Sequence, residues 1–147
     1  MTSIRILFAV LALAACDVVA PSRVTAPIES DATPMSILNA AAVVLLREGY
    51  AVAALETDVG ILTTGWQDET SFSDQVFLDT SRRSRISVVL DFNLRQLDVQ
   101  MTVQKKDADY PWRNDDLSGR ERNRLTSIVE AIQDRIGPAA AARPAFR

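Results

Sequence analysis

The sequence predicts an α+β domain in which an antiparallel sheet of about four strands carries two helices on one face. Three patterns lead to this prediction: an amphipathic stretch after residue 33, two consecutive segments with apolar residues at every second position, and a second amphipathic stretch near the end of the chain. One-sided helices and one-sided strands bury their apolar surfaces most simply against each other. The predicted order of elements is therefore helix, four strands, helix (α-β-β-β-β-α), within residues 34–137.

The first helix is predicted to begin at Thr33-Pro34, because a hydroxyl side chain can cap a helix whose first residue is proline. Apolar residues then recur at spacings of three and four, and Gly49 is expected to end the helix. Such a face belongs either to a core helix or to a helix that lies on a membrane or a partner. The shortage of basic residues on the opposite side favours a core helix.

The first two strands are expected over residues 50–56 and 61–66, which are rich in apolar residues. A turn between Asp58 and Gly60 joins them. The polar stretch 67–83 is expected to be a long loop that holds at most a short helical or strand turn.

The next two strands show the clearest pattern in the chain. Residues 84–94 and 97–105 alternate apolar and polar side chains, which predicts that each strand buries only one side. The short connection Arg95-Gln96 predicts that the two strands are antiparallel neighbours.

The last helix is predicted over residues 117–136, where apolar residues form a single stripe. Asp115 or Asp116 is expected to cap its beginning, and Gly137-Pro138 to end it.

The beginning of the chain has the pattern of a secretion signal. A positive residue, Arg5, precedes an apolar run that is too short to span a bilayer, and small residues follow. The segment Leu13-Ala14-Ala15-Cys16 resembles the lipobox of bacterial lipoproteins. This resemblance implies a signal peptide over residues 1–15, cleavage before Cys16, and acyl chains such as palmitate attached to that residue. Two or three chains on one residue make a stable membrane anchor. The alternative is an apolar segment that happens to contain a buried cysteine.

Residues 16–33 are expected to be a lipidated tether, since Pro21 and Pro27 interrupt any helical or strand period there. Asp17 after the acylated cysteine resembles the inner-membrane retention signal of enteric bacteria, but inner and outer membrane both remain open. Residues 138–147 are expected to be a disordered tail. These features predict a protein of the cell envelope that faces the periplasm.

The domain itself resembles, weakly, the helix-grip domains of BamC-like envelope lipoproteins. The resemblance lies in a helix that ends in a glycine, Leu46-Arg47-Glu48-Gly49-Tyr50, and in a strand that passes through Gly60-Ile61-Leu62-Thr63-Thr64-Gly65-Trp66. It implies a small helix-and-sheet module that serves as an accessory of a membrane-bound assembly.

Composition argues against several classes of activity. The chain has no histidine and one cysteine, which excludes serine–histidine and cysteine–histidine couples and imidazole metal ligands. No metal or other cofactor is expected, and a net charge of -3 disfavours a nucleic-acid partner. The carboxylates that flank the second strand, Glu56, Asp58, Asp68 and Glu69, are either paired groups for acid–base work or the binding of a hard cation, or solvated turn charges. The second interpretation is favoured, so no enzymatic activity is predicted.

The candidate partner-binding residues are Trp66, Trp112, Arg82, Arg83 and Arg85, because tryptophan and arginine dominate binding hot spots. The tryptophans could instead cover the core, and the arginines could be solvated loop charges. The expected function is that of a non-catalytic accessory or adaptor that binds another envelope protein. The alternative is a carrier domain for a lipid or another small apolar ligand.

Overall fold

The computed structural model describes residues 22–137 as seven strands and three helices. In chain order they are β1 (Ser22–Pro27), α1 (Pro34–Arg47), β2 (Val52–Glu56), β3 (Ile61–Thr64), β4 (Gln67–Asp68), α2 (Phe72–Phe77), β5 (Thr80–Asp91), β6 (Gln96–Asp107), β7 (Arg113–Asp115) and α3 (Gly119–Ile136). The strands form one antiparallel sheet in the order β1-β6-β5-β3-β2, with β4 on β5 and β7 on β6. None of the helices in this range combines the length and the hydropathy that crossing a bilayer requires.

The predicted α+β class and the antiparallel sheet are confirmed, but the sheet has more strands than expected and a strand comes first. Ser22–Pro27 pairs with β6 from Ser22 opposite Met101 to Pro27 opposite Gln96. The prediction of an unstructured tether is therefore wrong for residues 22–27, and the folded unit begins before residue 34. Proline is tolerated here because β1 is an edge strand. The predicted signal peptide, Cys16, Asp17 and the tail 138–147 lie outside the described residues.

Strands β5 and β6 form the long hairpin that the alternating pattern predicts, and they are antiparallel neighbours over twelve residue pairs. The hairpin is longer than expected, because β5 begins at Thr80, inside the stretch predicted to be a loop. That stretch also contains β4 and α2. The apolar alternation stops near residue 84 while the backbone ladder continues, since polar side chains replace apolar ones on the covered face.

Helices α1 and α3 pack side by side on one face of the sheet. Their buried residues share a single core cluster with Leu62 of β3, Ile86, Val88 and Leu90 of β5, and Leu97, Val99, Met101 and Val103 of β6. The cap of α1 is the predicted Thr33, whose side chain accepts a hydrogen bond from the Ser36 backbone N–H. Gly49 follows the end of α1 at a φ of +89°, a conformation that glycine adopts without strain.

The cap of α3 differs from the prediction. Ser118, not Asp115 or Asp116, caps the helix, and Ser118 and Glu121 form a reciprocal capping box. Asp115 instead ends β7, opposite Val103.

The β5–β6 hairpin has two parts that face different surroundings. The near half, residues 86–91 and 96–101, lies under α1 and α3 in the apolar core. The far half, residues 80–85 and 102–107, extends past β1 and β3 and is flanked by β4 and β7.

Candidate binding surface on the open sheet face

The face of the sheet that the helices do not cover, called here the open face, is polar. Directly opposed residues of antiparallel strands share a face, and successive residues alternate between faces. Because Ile86 and Met101 point to the helices, the pairs Arg83–Gln104 and Arg85–Thr102 lie on the open face.

Both predicted tryptophans and two of the three predicted arginines meet there. The Arg83 guanidinium carbon lies 4.0 Å from the centre of the Trp112 ring and 4.4 Å from that of Trp66. The Arg85 guanidinium carbon lies 4.8 Å from the Trp66 ring. Cation–π contact of this kind holds both partners in a defined orientation.

The stack is held in place by short strands on either side of the hairpin. Trp66 directly precedes β4, which pairs with β5, and Trp112 directly precedes β7, which pairs with β6. Gln104 also orients Arg83, since its Oε1 accepts hydrogen bonds from Nε at 3.1 Å and from Nη2 at 2.8 Å.

A cleft of about 260 Å³ opens beside the stack. It is lined by Trp66, Gln67, Asp68, Thr70, Ser81, Arg83 and Trp112. It therefore offers aromatic rings, a guanidinium and hydroxyl groups within one small surface.

Arg82, the third predicted arginine, does not belong to this surface, because it points to the opposite face. Its Nε and Nη2 donate to the Glu121 carboxylate at 3.0 and 2.8 Å, and Nη1 forms an ion pair with Asp115. The hydrogen bond to Glu121 is the main reason that the pKa of Arg82 lies above its ordinary value. Arg82 thus ties β5 to α3 and β7 and is a structural residue.

The same contacts stabilise the charged form of Glu121. Burial alone would raise the pKa of its carboxyl group, but hydrogen bonds from Arg82 and Ser118 and the charge of Arg82 outweigh burial. The resulting pKa lies below the ordinary value, so the carboxylate stays charged beneath the far half.

A second polar cluster, which the sequence did not predict, lies next to this ion pair. The hydroxyl groups of Tyr50 and Ser84 are 2.8 Å apart, and Ser84 donates to Glu69 Oε1 at 2.9 Å. Arg124 of α3 donates to the same oxygen at 2.7 Å. Burial raises the pKa of Tyr50, so this phenol stays neutral. Ser84 has no exposed surface, which makes the cluster a structural link between sheet and helix.

The four candidate carboxylates are in separate environments. Glu56 and Asp58 lie at the β2–β3 turn, whereas Asp68 accepts a hydrogen bond from the Thr70 backbone N–H at 2.8 Å and Glu69 belongs to the Tyr50 cluster. Hydrogen bonds from Thr70 hold the pKa of Asp68 below its ordinary value. Across residues 22–137, no group of three or more cysteine or acidic side chains is arranged to hold a metal ion.

Comparison with known proteins finds similarity among solved structures alone. No protein-family model matches the chain, and no curated protein matches it. Among solved structures, it is similar to a DUF4468 family protein from Bacteroides ovatus, with 12% sequence identity over 84% of this chain and 89% of that one and a TM-score of 0.46. Similarity of this degree carries no argument about function.

Proposed function

We propose that this chain is a lipid-anchored protein of the cell envelope whose domain is a non-catalytic adaptor for another envelope protein. The anchor is the acylated Cys16, in the inner or the outer membrane, and the domain faces the periplasm. The observation that carries the adaptor role is the stack of Arg83 between Trp66 and Trp112 on the open face.

The stack has the properties of a binding hot spot. Tryptophan and arginine account for a large share of binding energy at protein interfaces. Here Gln104 and the two rings already fix Arg83, so little side-chain entropy remains to be lost on binding. Arg85 beside it is exposed and positively charged. We therefore expect a partner segment that carries a carboxylate next to a flat apolar group.

The anchor is tested by metabolic labelling with a fatty-acid probe. We expect label on the wild-type chain and none on the Cys16→Ala variant. A wild-type chain that takes up no probe, or a labelled Cys16→Ala variant, would contradict the anchor.

The adaptor role is tested by site-specific photo-cross-linking in intact cells. A photoreactive residue in place of Thr102, on the open face, is compared with one in place of Thr126, which is exposed on α3. We expect one discrete cross-linked protein from position 102 only. Arg83→Ala and Trp112→Ala should abolish it, whereas Arg120→Ala on α3 should not. Equal cross-linking from both positions, or none, counts against the proposal.

A carrier for a small apolar ligand remains the alternative proposal, with less support. The side chains between the helices and the sheet pack into one cluster. A cleft of about 370 Å³ lies instead at the rim, between residues 27–30 and the end of α3.

A further inference from the structure

The apolar side chains of helix α2, and Leu78 directly after it, are more than half exposed. The exposed fractions are 78% for Phe72, 55% for Val76, 80% for Phe77 and 67% for Leu78, and no residue of α2 is buried. The helix is formed locally, with the Ser71 hydroxyl accepting a hydrogen bond from the Asp74 backbone N–H. A group of exposed apolar side chains of this kind on a small domain marks a surface that meets a partner or a membrane.

This patch lies at the outer end of the far half. Leu78 is two residues before Thr80, which pairs with Asp107 at the last rung of the hairpin. The Ala108 backbone N–H donates to the Asp79 carbonyl at 3.0 Å, which brings the following loop and Tyr110, 66% exposed, to the same end. These exposed residues form the apolar tip: Phe72, Val76, Phe77, Leu78 and Tyr110.

The proposed lipid anchor enters from that same end. Strand β1 begins opposite Met101 and runs towards the β5–β6 turn, so the chain that precedes Ser22 arrives from the side of the far half. From Met101 to Asp107 is six residues of strand, or about 20 Å. Cys16 precedes Ser22 by six residues, which extend to at most about 20 Å. When fully extended, this segment is just long enough for the acylated residue to reach the level of the apolar tip.

We infer that the apolar tip rests in the interfacial layer of the bilayer that holds the acyl chains of Cys16. This inference rests on the lipid anchor of the proposed function and adds a second contact with the membrane. Aromatic and aliphatic side chains are the groups that enter this layer from a short amphipathic helix. The acidic residues at the tip, Asp74, Asp79 and Asp109, are matched by Lys105, Lys106 and Arg113 at the same end of the hairpin. The tip therefore has no excess of positive charge that would favour an anionic lipid surface over a zwitterionic one.

The test measures how deeply α2 lies in lipid. Gln75→Cys on α2 and Asn93→Cys in the β5–β6 turn, both exposed positions, are labelled with an environment-sensitive fluorophore. Acylation consumes the Cys16 thiol, so each variant has one free thiol. The full acylated chain is placed in phosphatidylcholine vesicles that contain acyl-chain nitroxide lipids. We expect a blue shift and a loss of emission at position 75, and neither at position 93.

A second variant separates lipid contact from other causes. Phe72→Ser with Phe77→Ser, in the Gln75→Cys chain, should restore the emission while the acyl label on Cys16 stays unchanged. Equal emission at positions 75 and 93 of an acylated chain overturns the inference and leaves the anchor intact. A blue shift without nitroxide quenching also overturns it, since a second protein copy then covers the tip. A chain without acyl label removes the anchor, and the inference with it.

Discussion

The near and far halves of the β5–β6 hairpin share one uninterrupted ladder but are stabilised by different interactions. In the near half, Ile86, Val88 and Leu97 are buried among other apolar side chains. In the far half, the corresponding covered positions of β5 hold Arg82 and Ser84. Arg82 binds Glu121 of α3, and Ser84 donates a hydrogen bond to Glu69 in the loop between β4 and α2. Apolar contacts are non-directional, whereas ion pairs and hydrogen bonds fix orientation. The candidate binding surface therefore lies over the part of the sheet whose geometry is defined by directional bonds.

The largest expected effect is a loss of core packing in the near half. Leu97→Ala removes a side chain with no exposed surface, and we expect it to lower the free energy of unfolding by about 3 kcal/mol. The matched control is Leu94→Ala, 65% exposed in the adjacent turn, which should change it by less than about 0.5 kcal/mol. Urea unfolding followed by circular dichroism measures both. Similar losses for the two variants would contradict the described core.

The second effect concerns the ion pair of the far half. Arg82→Met leaves Glu121 and Asp115 without their cation, and we expect a loss of about 2 kcal/mol. The double variant Arg82→Met with Glu121→Leu removes both charges and should lose less than the sum of the single changes. Additive losses would show that the two residues do not stabilise each other.

Acid should remove the stabilisation that the charged Glu121 gives the far half. Because the folded-state pKa of Glu121 lies below the ordinary value of 4.5, its stabilisation is complete above that value and is lost as the pH falls through the folded-state pKa. Wild type should therefore exceed Glu121→Gln in stability at about pH 7, and the difference should shrink towards about pH 3. A difference that does not depend on pH would contradict the Glu121 assignment. The other carboxyl groups are present in both proteins, so their contributions to the pH dependence cancel in the difference.

The smallest effect on stability is expected on the open face. Trp112→Ala removes one ring from the Arg83 stack at a half-exposed site, and we expect a loss of at most about 1 kcal/mol. The same variant should abolish the cross-link from position 102. A large loss of stability without any effect on cross-linking would make Trp112 a structural residue only.

The parts of the fold that bury one face could be predicted from sequence. Strands β5 and β6 and helices α1 and α3 each leave a regular apolar pattern, because one side of each meets the core. Strand β1 leaves only a short one, in which Val24 and Ala26 face the core and alternate with the exposed Arg23, Thr25 and Pro27. Helix α2 leaves no such pattern, since none of its residues is buried.

The candidate surface was predictable by residue type but not by orientation. Trp66, Trp112, Arg83 and Arg85 were expected to bind a partner, and the structure brings them together on one face. The alternating pattern predicts a strand only from Ser84 onwards, so Arg82 is grouped with them as a loop residue. Extending the alternation two residues back would have placed Arg82 on the helix side, with Ser84 and Ile86. The spacing of Ser118 and Glu121 is likewise the sequence pattern of a capping box, and it predicts Ser118 as the N-cap.

The pairing of β1 along β6 determines how the domain responds to mechanical force. In a chain held at Cys16, tension reaches the domain at Ser22 and acts along the axis of β1. Six residue pairs join β1 to β6, and the Arg23–Asp98 ion pair reinforces them. A pull in this direction shears all the ladder bonds together, whereas a pull across the strand would open them one after another. In the proposed lipid-anchored adaptor, this shear geometry would resist sudden displacement between the membrane and a bound partner.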